Sequence, residues 1–226
     1  MYNRKQVFIG SEQESIFFWG ARQTGKSTLL KTLFPNALWF DLLLSDEYER
    51  LSKKPELLRE IILANRNVSL VIIDEIQRLP DLLNEVHWLI SNHKVRFILS
   101  GSSPRKILRG DFNLLGGRAL RYELYPLISV EIPDFDLIRA LNHGLLPRHY
   151  DSANPRKLLS SYIGSYLQDE IVAEARIRNV HTFSRFLEVA ALTNGEMINY
   201  TNIASDCGIS AKTIKEYFQI LEDTLI

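Results

Sequence analysis

Two hydrophobic patterns alternate along the first part of the chain. Short unbroken apolar runs, "IFFW" (16–19), "ALWFDL" (37–42), "SLVIID" (69–74) and "VRFILS" (95–100), are separated by longer stretches with apolar positions at helical spacing. A short continuous apolar run bounded by polar segments fits a strand buried on both faces, the condition of a parallel sheet between helices. "ALRYEL" (119–124) reads as a fifth strand. The intervening pattern predicts helices over "KSTLLKTLF", from about Asp46 with Asp46 and Glu49 as cap and N3 partner, over "ELLREIILAN" from Pro55, and over "DLLNEVHWLI" after Pro80. Ser103 and Pro104 are set as N-cap and first residue of a further short helix. Alternation of this kind predicts an α/β fold with a parallel sheet.

After Pro126 the strand pattern ends. "FDLIRALNHG", "PRKLLSSYIGSYLQDEIVAEARI" and "HTFSRFLEVAALTNG" all carry helical spacing, and the last 27 residues read as two helices joined by "DCGIS". Gly208 supplies the turn there and Ser210 the cap, a helix-turn-helix spacing. The chain therefore divides into an α/β part, residues 1–127, and an all-helical part, residues 128–226, with the hinge between Pro126 and Pro133. The sequence ends on "LEDTLI", as expected of a chain truncated inside an element.

Composition narrows the function classes. Of 226 residues, 46% are hydrophobic and 24% charged, values of an ordinary globular protein, and the formal net charge is zero. No global field therefore attracts nucleic acid or anionic lipid. The single cysteine, Cys207, excludes an intrachain disulfide and fits a reducing compartment. With no apolar run of membrane-spanning length and no secretory leader pattern, a cytoplasmic protein with no membrane partner is expected.

The junction after the first apolar run carries the most specific chemistry. "GARQTGKSTLL" begins at Gly20 and matches G-x-x-x-x-G-K-[ST], a loop whose amides and lysine surround phosphate groups. A strand before it and a helix after it are what that mechanism requires, because the helix start adds the positive end of its dipole. The candidate phosphate-binding residues are Gly20, Ala21, Arg22, Gln23, Thr24, Gly25, Lys26, Ser27 and Thr28. Such a loop needs a carboxylate on a neighbouring strand for the metal shell, and "LVIIDEIQRLP" places Asp74 at a strand end. Ser27 and Asp74 are thus the candidate magnesium residues, with Glu75 the candidate base for an attacking water.

Three further positions are candidates. At the end of "VRFILS", Ser100 is the first choice and Ser102 the second for sensing the γ-phosphate or holding the water, whereas Ser103 caps the following helix. Arg118 follows Gly116 and Gly117 and could reach a γ-phosphate across a subunit interface, its alternative being a surface arginine at a strand start. The histidines show no metal spacing. From Phe183 onward, three basic residues stand against six acidic, so the electrostatic footprint of DNA binding is missing from the helix-turn-helix.

With these residues in view, the chain resembles AAA-type P-loop ATPases, and within them a prokaryotic group whose ATPase core precedes a winged-helix domain. "GARQTGKSTLL" stands at that family's phosphate loop, "LVIIDEIQRLP" at its Walker B strand, "FILSGSS" at its sensor strand and "GGRALRYELYPL" at its Gly-Arg segment. "NYTNIASDCGISAKTIKEYFQILEDTLI" is similar to its winged-helix region, without the wing strands. Members of the group usually continue into a nuclease-like domain, which this sequence lacks. The resemblance implies ATP binding and magnesium-dependent hydrolysis, used as a switch or motor. A homo-oligomer or an unidentified protein partner is expected, and DNA binding is not favoured. The alternatives are a DNA-binding regulator with ATP as ligand and a protein-interaction scaffold with a structural nucleotide site. Glu75 argues against the scaffold, because a structural site has no use for a water-activating carboxylate.

Overall fold

The computed structural model describes residues 2–9, 13–65, 67–105, 107, 115–164 and 180–225. The chain forms two compact units, Met1–Asp151 and Ser152–Ile226. In the first, strands β1 (Ser15–Trp19), β2 (Leu38–Asp41), β3 (Leu70–Asp74), β4 (Arg96–Gly101) and β5 (Ala119–Glu123) make one sheet in the order β2-β3-β4-β1-β5. Every pairing is parallel. Helices α1 (Lys26–Leu33), α2 (Ser45–Lys53), α3 (Leu57–Ala64) and α4 (Leu82–His93) connect the strands. This is the P-loop NTPase arrangement of the α/β class.

The middle of each central strand is apolar because both faces are covered. Ile16, Phe18, Ile72 and Ile98 pack with Leu29 and Leu30 of α1 on one side. Phe17, Val71, Ile73, Phe97 and Leu99 alternate with them and are also buried. Phe8, in the N-terminal segment, meets Phe18 and Tyr122 edge-on, with ring centroids 5.1 and 5.2 Å apart.

Local differences from the sequence reading have physical causes. The second helix begins at Ser45, with Leu44 in the N-cap position, so Asp46 and Glu47 lie in its first turn and Asp46 is not the cap. A turn closed by Leu44 N–H on the Asp41 carbonyl starts the helix early. The short helix expected after Pro104 lies largely outside the described residues, as do residues 165–177 of the long amphipathic stretch.

The first unit also runs past residue 127. Helices α5 (Leu137–His143) and α6 (Pro147–Tyr150) belong to it. Leu127, Ile132, Ala140 and Tyr150 form a small core with Tyr2 packed against it. A buried ion pair, Arg4 Nε to Glu131 Oε2 at 3.0 Å, ties the N-terminus to the segment after β5. That long-range closure has no local sequence signal.

In the second unit, α7 (Pro155–Ser161), α8 (Val180–Leu192), α9 (Tyr200–Cys207) and α10 (Ala211–Thr224) are described. Gly208, at φ 70°, ends α9, and the Ser210 hydroxyl caps α10 through Thr213 N–H. Ile214 and Tyr217 of α10 pack with Phe183, Phe186 and Ile203, with Phe218 and Leu221 against that cluster. Among the described residues, no helix is long and apolar enough to cross a membrane.

Candidate functional site

The site forms at the C-terminal edge of the sheet, where β1, β3 and β4 end side by side. Gly20 leaves β1 so close to the chain after β5 that a Cβ there would lie 2.6 Å from the Leu124 carbonyl oxygen. Gly25 stands at φ 94°, a conformation glycine adopts without steric cost, immediately before α1. Between them the loop is held by Thr24, whose hydroxyl donates to the Ala21 carbonyl at 2.8 Å. Arg22 and Gln23 sit exposed at the loop's apex.

Lys26 is buried, and its ammonium turns back onto its own loop, donating to the Gly20 carbonyl at 2.5 Å and the Ala21 carbonyl at 3.2 Å. Ser27, next in the helix, donates its hydroxyl to Asp74 Oδ2 at 2.5 Å. Ser100 donates to Asp74 Oδ1, also at 2.5 Å. The β3–β4 register makes this meeting possible, since Asp74 and Ser100 are direct neighbours across the strands. The Asp74 carboxylate, 2% exposed, is therefore gripped by hydroxyls from the phosphate-loop helix and from β4.

Glu75 follows at φ 59° and ψ 43°, a left-handed conformation that costs a residue with a Cβ about 1–2 kcal/mol. The bend turns the chain from β3 into a short 3₁₀ turn, Ile76–Arg78. Gln77, from that turn, donates to both the Glu75 carboxylate and Ser102 Oγ. The two candidate serines thus differ in role: Ser100 meets Asp74, whereas Ser102 meets Gln77.

Arg118 is elsewhere. Ala119 pairs with Ser15, so Arg118 precedes β5 at the N-terminal edge of the sheet. Five residues of strand, roughly 16 Å, separate that edge from the phosphate loop. Its exposed guanidinium lies 3.5 Å from His87 Nε2. The chain's own phosphate site does not include it.

Two contributors escaped the sequence reading. Gln77 has a weak local signal, an amide two residues after an acidic pair. Arg4 has none: its guanidinium donates to the Thr24 carbonyl at 2.6 Å and the Tyr125 carbonyl at 2.6 Å, while pairing with Glu131. Beside Arg4, a cavity of about 360 Å³ opens from Thr24, Gly25 and Thr28 towards Tyr2, Leu33 and Asp151.

The donor set suits a hard divalent cation. Ser27 and Asp74 present adjacent oxygens, and a magnesium ion held by one or two protein oxygens keeps the rest of its shell as water and substrate oxygen. Among the described residues, no group of three or more His, Cys, Asp or Glu side chains could hold a metal by itself.

A family model described as an AAA domain matches residues 12–132, more than half of the chain. The chain belongs to that family. Residues 134–226 of this AAA protein match a second family, described as a domain of unknown function (DUF8612). Among solved structures, the Walker-type ATPase of Pyrococcus abyssi is similar over 92% of this chain and 84% of its own, at 15% identity and a TM-score of 0.57. At that identity the likeness shows the fold. AMPPCP-bound DnaA from Aquifex aeolicus matches over 95% of this chain and 83% of its own, at 14% identity and a TM-score of 0.46. None of the curated proteins matches in sequence.

Proposed function

We propose that this AAA protein binds ATP with magnesium and hydrolyses it, using the cycle as a conformational switch or motor step. The observation that carries this reading is the convergence on Asp74 of hydroxyls from the phosphate-loop helix and from β4, beside the buried Lys26. A site of this make-up binds the β- and γ-phosphates through the amides of residues 20–28 and through Lys26, which exchanges its loop carbonyls for phosphate oxygens. Ser27 and Asp74 hold the magnesium, which when bound neutralises charge on the transferring phosphoryl group. Glu75 accepts a proton from the attacking water, and Ser100 senses the phosphate through Asp74. The cavity from Gly25 to Tyr2 takes the adenine ring of the ATP. Arg118 acts on a neighbouring subunit's nucleotide, and α9 and α10 form a winged-helix-like element that packs rather than reads bases.

ATP turnover tests the reading. The wild-type chain hydrolyses ATP only with magnesium, and Glu75→Gln binds ATP as the wild type does while losing roughly 10²- to 10⁴-fold in rate, the usual contribution of a positioned base. Equal turnover by Glu75→Gln ends the assignment of Glu75. In the same assay the rate per subunit rises with protein concentration, and Arg118→Ala removes that rise. Turnover independent of concentration and of Arg118 removes the subunit-crossing role.

A further inference from the structure

We infer that Gln77 is a positioning residue that fixes the Glu75 carboxylate to the end of β4, so that the sensor strand and the proposed base move as one. The inference rests on the reading of Glu75 as the base, and on a cluster of buried groups with restricted freedom. Gln77 is 3% exposed, unusual for an amide that the fold could have left in solvent. Its Nε2 donates to Glu75 on one side and to Ser102 Oγ, at 2.9 Å, on the other. A side-chain amide nitrogen has two hydrogens, so this pair of acceptors uses both.

The amide is also locked against reversal. Its Oε1 lies buried without a hydrogen-bond partner, and a Cβ on residue 101 would fall 2.1 Å from it. Glycine at 101 therefore creates the space that Gln77 occupies, against the Trp19 ring. Turned over, the amide would set its oxygen against the Glu75 carboxylate, two acceptors face to face. An unpartnered buried acceptor destabilises the fold, a cost a folding-only core would avoid with a leucine or methionine. The arrangement keeps it and obtains an amide that joins Glu75, in its left-handed bend, to a strand whose preceding hydroxyl, Ser100, holds Asp74. A shift of β4 by a fraction of an ångström on phosphate binding or release is thereby passed to the carboxylate.

The test is a kinetic cycle in the full chain. Gln77→Met keeps the volume and removes both donors; it lowers kcat for ATP by roughly 10- to 100-fold, the scale set by a misplacement of about 1 Å, with ATP affinity unchanged. In the Glu75→Gln background the same substitution has no further effect, because Gln77 acts through Glu75. Ser102→Ala, which removes one hydroxyl remote from the base, gives a smaller fall in the same direction and serves if Gln77→Met fails to fold. Wild-type turnover by both variants, or an equal fall with and without Glu75, overturns the inference alone. A wild type without turnover, or Glu75→Gln as active as wild type, overturns the ATPase reading and this inference with it.

Discussion

At the C-terminal edge of the first unit's sheet, Thr24, Lys26, Asp74, Gln77, Ser100 and Ser102 are all buried, whereas the described interior of the second unit is built from Phe183, Phe186, Ile203, Ala204, Cys207, Ile214, Tyr217 and Ile220. The buried hydroxyl of Thr224 in the second unit is satisfied within its own helix, donating to the Ile220 carbonyl at 2.8 Å. In the first unit the polar groups satisfy one another across elements distant in sequence, Ser27 with Asp74, Ser100 with Asp74 and Gln77 with Ser102. An apolar interior folds a helical bundle without such a network. The concentration of hydrogen-bonded polar groups at one sheet edge sets the candidate site apart from the second unit's cluster, whose described residues are held together by apolar packing.

The contrast is most directly broken at Lys26. Lys26→Ala weakens ATP binding by about 3–6 kcal/mol, roughly 10²- to 10⁴-fold in Kd, through loss of charge-assisted hydrogen bonds to two phosphates. The nucleotide-free chain loses less, about 1–3 kcal/mol, because the Gly20 and Ala21 carbonyls give up their donor. Calorimetry that returns wild-type affinity removes the functional half of the comparison.

In the second unit the large effect is on folding. Ile214, 0% exposed, lies in the apolar cluster of that unit, so Ile214→Ala destabilises it by about 2–5 kcal/mol. Hydrogen exchange of amides in α8, α9 and α10 measures it, and unaltered protection shows that the cluster is not the unit's core.

A smaller, pH-dependent effect belongs to a polar contact that joins the N-terminus to the segment after β5. Burial pushes the Glu131 carboxyl up, but hydrogen bonds from Lys5 N–H, Ile128 N–H and Arg4 outweigh it and hold the group below its ordinary value of 4.5. A carboxylate lowered in the folded state stabilises it above the unfolded value, and that stabilisation disappears as pH falls below about 4.5 through the folded value. Glu131→Gln therefore lowers stability by about 1–3 kcal/mol at pH 7 and flattens the loss of stability in acid. Parallel urea titrations at pH 7 and pH 3.5 check this; an unflattened acid limb shows that the charge on Glu131 contributes nothing.

The smallest effect belongs to the exposed lysines of α10. Lys212→Ala with Lys215→Ala changes stability by no more than about 0.5 kcal/mol, as surface substitutions do. Fluorescence anisotropy with duplex DNA detects no tight, salt-sensitive complex to lose. Sub-micromolar binding abolished by the pair makes the second unit a DNA reader and ends the comparison as drawn.

Sequence periodicity determined the strands, most of the helices and the loop from Gly20 to Thr28, because each depends on residues within a few positions of one another. Asp74 and Glu75 were legible for the same reason, as polar residues closing an apolar run. Tertiary structure decided which serine meets which partner, since Ser100, inside β4, meets Asp74, whereas Ser102, just past its end, meets Gln77. It decided that Arg4, about 120 residues before its carbonyl partners at Tyr125 and Pro126, braces the phosphate loop, and that the first unit continues to Asp151. It also set Arg118 at the far edge of the sheet, because β5 runs parallel to β1. Strand register and chain closure come from the packing of surfaces remote in sequence, and a local pattern carries no information about which remote surface it will meet.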